Sequence, residues 1–105
     1  MRYSTVPYYA VIFSSKKSDN LSGYEEINKV IYDEAEKIEG YLGFECGTLE
    51  NGEGIHISYW KTMEAIHEWK NNKLHQFAKQ QGMKKWYNAY NIKICKVEYE
   101  NEFIS

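Results

Sequence analysis

Six consecutive residues, Tyr8-Tyr9-Ala10-Val11-Ile12-Phe13, are apolar or aromatic without interruption. β-Branched and aromatic side chains at this density predict a strand. Pro7, the one proline of the chain, stands at the start of the run, where a missing N–H is tolerated. Alternate side chains of a strand point to opposite faces, so Ala10 and Ile12 share one face while Val11 and Phe13 share the other. Both faces need cover. A strand of this kind belongs inside a layered structure, with one layer above it and another below.

The remaining elements follow from local pattern. The polar stretch from Ser14 to Asn20 reads as a loop. Ser22 followed by Glu25 fits a capping box, which starts a helix near Gly23. Tyr24, Ile27, Ile31, Ala35 and Ile38, with Val30 beside them, form one helical stripe, and Gly40 suits the position just past the helix end. Tyr41 to Leu49 and Ile55 to Trp60 read as two strands joined through the turn at Asn51-Gly52. On the second of these, Ile55, Ile57 and Tyr59 share a face, and His56, Ser58 and Trp60 share the other. The alternation of His56 with two isoleucines places it against a partner sheet. Thr62 caps a second helical region that starts at Met63 and is weakened by Asn71-Asn72. Leu74, Phe77 and Ala78 resume its apolar face up to Gly82, and Trp86-Tyr87 closes a short further turn. The last strand, about Tyr90 to Tyr99, changes phase. Its apolar residues are Tyr90, Ile92 and Ile94, then Cys95, Val97 and Tyr99. This predicts a strand that leaves one layer to join another, in preference to a bulge.

The resulting order is βαββαβ, an α+β, ferredoxin-like arrangement with an antiparallel sheet and both helices on one face. At 105 residues the chain reads as one domain spanning 1–105, with its core at about 8–103. Cys46 and Cys95 then fall on opposite edge strands, roughly 14 Å apart, too far to bond within one chain. Free thiols suit a reducing cytoplasm. The second sheet face is also semi-apolar, which points to a homodimer packed through that face. Thirteen Lys and Arg against 15 Asp and Glu leave a net charge of −2, so no nucleic acid is implied as a partner. No run is long and apolar enough to imply a membrane.

Several segments resemble the antibiotic biosynthesis monooxygenase (ABM) domain family of the dimeric α/β-barrel superfamily. Gly40-Tyr41-Leu42-Gly43-Phe44-Glu45 looks like its second-strand opening. Ile57-Ser58-Tyr59-Trp60-Lys61-Thr62-Met63-Glu64-Ala65, followed by Trp69 and His75, looks like its third strand and second helix. Trp86-Tyr87, Tyr90, Ile94 and Val97-Glu98 suggest an uncharacterised bacterial subgroup. The likeness runs from Tyr8 to Phe103. It implies a ferredoxin-like fold, a dimeric α/β barrel and any of several chemistries, among them oxidation of phenols by dioxygen without metal or flavin. The family's heme-degrading branch uses an Asn on the first strand, a Trp in the second helical region and an axial His ten residues after it. Trp69 matches that Trp, but the first strand holds no Asn and Lys79 stands at the axial position, so heme degradation is disfavoured.

His75 is the candidate catalytic residue, a neutral imidazole able to take a phenolic proton. The plainer reading is a packing or surface histidine, and His67 shares that ambiguity. Trp60, Trp69, Phe77, Trp86 and Tyr87 are candidate lining of a pocket for a small aromatic ligand. Core and dimer packing explain the same residues without any ligand. There is no Gly-rich nucleotide loop, no H-E-x-x-H and no C-x-x-C, so no metal and no cofactor is expected. An RNA-recognition module shares the element order, but its third strand needs a Gly-aromatic pattern that Ile55 to Trp60 lacks. The expectation is a cofactor-independent monooxygenase acting on a small phenolic or quinol-like aromatic. The alternative is a non-catalytic small-molecule-binding or stress-related dimeric protein.

Overall fold

The doubly apolar run becomes strand β1 (Tyr8–Lys17), an inner strand of the sheet in the computed structural model, which describes residues 4–105. The chain continues through α1 (Tyr24–Glu36), β2 (Tyr41–Thr48), β3 (Gly54–Trp60), α2 (Met63–Lys70), α3 (Lys73–Gln81), a π-helical turn (Gly82–Trp86) and β4 (Tyr87–Val97). The four strands lie in the order β2-β3-β1-β4, and every neighbouring pair is antiparallel. This is the expected ferredoxin-like sheet, with the second helical region divided in two. The division has a local cause. Thr62 accepts a hydrogen bond from the Ala65 N–H to open α2, and Asn72 accepts one from the His75 N–H to open α3. Two consecutive capping-type residues thus end one helix and start the next.

Register decides which side chains face the helices. Tyr9 pairs with Trp60, Val11 with Ser58 and Phe13 with His56. Trp60 is fully buried against Ala35, Ile38, Ala65 and Ile66, with Val11, Tyr41 and Trp69 packed around them. The side of the sheet that carries Tyr9, Val11, Phe13, His56, Ser58 and Trp60 is therefore the helix side. The indole Nε1 of Trp60 donates to the Ser58 hydroxyl at 2.9 Å, so the most buried ring leaves no polar atom unsatisfied. The opposite side carries Ala10, Ile12, Ile55 and Ile57.

Four sequence expectations are corrected. The stretch from Ser14 to Asn20 is not all loop, for β1 stays paired through Lys17. Ser22 does not cap α1. The N-cap is Gly23 in the left-handed conformation, with no side-chain cap, and the Ser22 N–H is instead turned to Asn20 Oδ1 at 3.2 Å. The last strand does not change layers. β4 stays paired with β1 as far as Val97 opposite Tyr8, and its irregularity lies opposite Lys16/Lys17, at the strand's start. Ile94 opposite Val11 and Cys95 opposite Ala10 are consecutive pairs, so the phase change records only which face of one strand is apolar. Leu74 and Phe77 do not continue the buried face of α3, for both are exposed. Cys46 and Cys95 are free thiols on β2 and β4, the two edges of the sheet.

The link from α1 into β2 passes through Gly40 at φ 99°, where an added Cβ would stand 3.1 Å from the Ala65 Cβ. The Gly40 carbonyl also accepts the Lys61 N–H at 2.7 Å, so this backbone cannot retreat without losing a bond. Gly23 shares the positive φ but has open space around it. Gly23→Ala carries only the conformational cost, about 1 kcal/mol, whereas Gly40→Ala adds a clash with a buried helix and is expected to cost about 2–3 kcal/mol. Urea midpoints of the two variants, measured side by side, check the difference.

Candidate active site: an aromatic cavity with a histidine at each end

A cavity of about 720 Å³ lies between the helix side of the sheet and the helices, a size usual for small-molecule sites. Its lining includes Val11, Phe13, Ser58, Trp60 and Ile94 from the strands and Ile31 and Tyr32 from α1. Trp60 and His56 both line it, and they are four residues apart on β3. At the rise of a β-strand that spacing sets the two ends roughly 14 Å apart.

At the Trp60 end, a chain of rings leads from the core to α3. Tyr41 and Trp60 have centroids 5.0 Å apart, Trp60 and Trp69 are 6.0 Å apart, and Trp69 and His75 stack at 4.4 Å with an interplanar angle of 19°. His75 Nδ1 lies 3.1 Å from the Trp69 carbonyl oxygen. A carbonyl only accepts, so this nitrogen carries the proton and Nε2 carries the lone pair. Burial lowers the His75 pKa below the ordinary value. The bond to the Trp69 carbonyl opposes that shift, and the nearby Lys79 ammonium adds to it. The ring is thus neutral at neutral pH, with one nitrogen fixed and the other open.

At the other end, Tyr32 of α1, Phe44 of β2 and His56 of β3 form a triangular cluster of near-parallel rings. The centroid distances are 4.8 Å for Tyr32–Phe44, 5.1 Å for Phe44–His56 and 5.7 Å for Tyr32–His56. His56 Nε2 is buried and has no hydrogen-bond partner. Burial lowers the His56 pKa. Burial also raises the Tyr32 phenol, with Cys46 and Tyr24 adding to the effect, and pushes the Tyr87 phenol far above its usual range, helped by Tyr24 and Tyr32. These hydroxyls stay protonated. Phe13 packs edge-on to Tyr87 at 5.3 Å and stacks on Tyr90 at 5.6 Å. The Tyr87 ring lies 2.8 Å from where a Cβ on Gly82 would stand, so the π-helical turn needs glycine there to admit the ring. Trp86 is anchored beside it, Nε1 donating to the Ser22 carbonyl at 2.8 Å.

No family model matches the chain. It is 42% identical over 97 residues to the uncharacterized protein YqjZ of Bacillus subtilis, a match covering 92% of this chain and 85% of that protein. The chain belongs to the YqjZ family. Solved structures share its fold at low identity. A provisionally designated antibiotic biosynthesis monooxygenase from Caulobacter crescentus superposes with a TM-score of 0.74 at 11% identity, over 89% of this chain and 92% of that one. One of the same designation from Nitrosomonas europaea gives 0.71 at 12% identity, over 97% and 100%. A variant of SnoaB, a cofactor-independent oxygenase from Streptomyces nogalater, gives 0.73 at 5% identity, over 89% and 95%. This YqjZ-family chain therefore has the ABM fold.

The cavity brings together most of the residues singled out from sequence. Trp60, Trp69, Trp86, Tyr87 and His75 all line it. Phe77 does not. It is 47% exposed, because two residues along a helix from His75 is a turn of about 200°, which carries Phe77 to the far side of α3. His67 is exposed on α2. His56 is misassigned by its alternation with isoleucines, for it lies on the helix side, inside the cavity. The signal that locates it is the face it shares with Trp60, since a tryptophan buried so completely marks the side that packs against helices. Tyr24 and Tyr32 are also cavity residues that sequence reading leaves within the α1 stripe or unremarked. Lys79 lines the cavity near His75. Among the described residues, no cluster of His, Cys, Asp and Glu is arranged to hold a metal ion, and no helix is long and apolar enough to cross a membrane.

The two depressed histidines make stability depend on pH. Unfolded, each imidazole titrates at about 6.5. Folded, each binds its proton less readily, so below that pH the unfolded state takes up more protons and gains on the native one. Above pH 7 both states are neutral at these sites and the contribution is constant. The melting temperature is expected to fall as pH drops from 6.5 towards 5, above the range in which carboxylates titrate. Melts of a His56→Phe, His75→Phe double variant should lose that slope.

Proposed function

We propose that the chain is a cofactor-independent monooxygenase that oxidises a small phenolic or quinol-like aromatic with dioxygen, with His75 as the base. The observation that carries this reading is the His75 imidazole, held neutral by burial, its Nδ1–H donated to the Trp69 carbonyl and its Nε2 left to accept a proton. Trp69 and Tyr87, both half-buried, supply flat apolar walls for an aromatic ring, with Trp60 and Trp86 buried behind them. The fold is shared with SnoaB, itself a cofactor-independent oxygenase.

The chemistry follows from that arrangement. His75 Nε2 removes the substrate's phenolic proton, and the electron-rich anion passes one electron to dioxygen, giving a phenoxyl radical and superoxide. These combine at a ring carbon bearing hydrogen to form a carbon–oxygen bond and a peroxide. The peroxide takes up the proton from His75. Its O–O bond then breaks as the ring carbon loses its hydrogen, leaving a quinone and one water. One oxygen atom enters the product and the other leaves as water, and all four electrons come from the substrate. The protein contributes proton removal, orientation and an apolar enclosure.

The open side of the sheet supplies the second half of the reading. Ala10, Ile12, Ile55 and Ile57 form an apolar face, with Tyr8 edge-on to Tyr59 at 6.0 Å, and a second copy of the chain is the cover that the ABM resemblance implies. Ile57→Lys, at the centre of that face, is expected to convert a dimer to a monomer in sedimentation velocity. A wild-type chain that sediments as a monomer would remove the assembly from the proposal.

Oxygen uptake with a panel of hydroquinones and fused-ring phenols tests the enzyme. His75→Phe is expected to lower uptake at least about 100-fold while preserving the circular dichroism spectrum. The wild-type kcat/KM should rise with pH to a plateau, through a midpoint below 6.5, as His75 loses its proton. Undiminished turnover in His75→Phe removes that residue from the mechanism. Binding of these aromatics with no oxygen consumed favours a small-molecule-binding protein instead.

A further inference from the structure

The charge on the cavity lining is one-sided. Acidic residues outnumber basic ones in the chain, 15 against 13. Yet among the described residues no Asp or Glu lines the cavity, whereas Lys17, Lys70 and Lys79 do. These lysines come from β1, α2 and α3, so three separate elements bring the same sign of charge to one space. Lys17 already has a partner, its Nζ standing 5.0 Å from the centre of the Tyr24 ring. Lys70 and Lys79 are exposed where the cavity opens, and neither is among the ion-paired lysines of the described residues, Lys16 with Glu53 and Lys37 with Glu34. Both belong to the wall that carries His75. Lys70 follows Trp69, on which His75 stacks, and Lys79 lies four residues beyond His75 on the same face of α3.

We infer that the cavity selects an anionic aromatic, whose ring system lies inside and whose carboxylate is held at the mouth by Lys70 and Lys79. This rests on the reading of the cavity as an aromatic-ligand site and adds a charge requirement to it. An apolar interior rejects an ionised group, so the charge belongs at the rim, where ammonium ions and water both reach it. Two ammonium point charges, with no arginine lining the cavity to grip a phosphate in two places, suit a singly charged anion. The anchor also gives the molecule a direction, with the acid end outward and the ring end inward. Lys70 and Lys79 are positioning residues. They take no part in proton or electron transfer.

Two probes of nearly equal shape isolate the charge: naphthalene-2-carboxylate and 2-naphthamide, neither of which has a phenol for His75 to deprotonate. Their affinities are read by titration calorimetry at about pH 7.5, above the range in which an imidazole gains its proton. Wild-type protein is expected to bind the carboxylate about fivefold more tightly than the amide. Added salt should erode that preference by weakening the carboxylate alone. The double variant Lys70→Gln, Lys79→Gln should bring the two affinities within about twofold, with the amide unchanged. Lys73→Gln, Lys84→Gln removes the same charge from exposed lysines that do not line the cavity, and should keep the preference. The inference is overturned if wild type binds the probes alike, if the Lys70 and Lys79 variant keeps the preference, or if both double variants lose it equally, as a general field would have it. In those cases the amide still binds and the aromatic-ligand reading stands. If wild type binds neither probe, both fall together.

Discussion

The burial of one indole organises the molecule. Trp60 lies opposite both Tyr9 and Tyr41, beneath α1 and α2, with no exposed surface and its N–H satisfied by Ser58 two residues back. Because side chains alternate along a strand, placing Trp60 against the helices also places Ser58 and His56 there and sends Ile55 and Ile57 to the other side. The register of β1 against β3 then brings Val11 and Phe13 onto the helix side and leaves Ala10 and Ile12 with the isoleucines. Cavity wall and open apolar face are two outcomes of one packing decision. Removing the ring would loosen both, since it joins α1 to α2 and α2 to the sheet.

The site depends equally on a weak point in a helix. A continuous second helix from Met63 would carry His75 around its axis with no reason to meet the Trp69 carbonyl. The break at Asn71 and Asn72 ends α2 and restarts the chain at a new angle, with Asn72 holding the His75 N–H. Asn72 also reaches Glu34 of α1 at 3.4 Å, which ties the break to the first helix. His75 thereby lies flat on Trp69, and the same backbone that ends α2 supplies the acceptor for its Nδ1–H. The Trp69 carbonyl, which already accepts the Asn72 N–H at 3.1 Å, also accepts from His75 and so selects the tautomer.

Much of this was legible in the residues, because the signals were local. The doubly apolar run of β1, the stripe of α1, the Asn51-Gly52 turn and the Thr62 cap each need only a few neighbours, and together they yield the ferredoxin-like element order. The ABM likeness rests on the resemblance of segments such as Gly40 to Glu45 and Ile57 to Ala65. Expectations that required knowing which face was which were less secure. His56 follows its isoleucine neighbours in a simple alternation, yet the face is decided by Trp60. Phe77 belongs to an apolar pattern, but the split of the helical region rotates α3 and leaves it in solvent. The phase change in β4 looks like a topological event and is only the two faces of one strand. The cavity cannot be read from sequence at all, since it is the space left when the helices pack on Trp60 at one end of the sheet.

The β2–β3 hairpin carries one irregularity that bears on how such a chain can vary. Tyr41 pairs with Trp60 and Gly43 with Tyr59, so Leu42 is an extra residue, followed by Gly43 at φ 140°. That single insertion is what allows Tyr41 and Phe44, an odd distance apart, to face the same side. Parity along these strands is therefore a conserved quantity of the architecture. Length changes at the turn between Leu49 and Glu53 leave it intact, whereas a one-residue change within either strand exchanges the cavity wall for the open face. The hairpin tip can thus change length without touching the cavity, whereas a single residue added to an arm keeps the faces apart only where a bulge absorbs it, as Leu42 does.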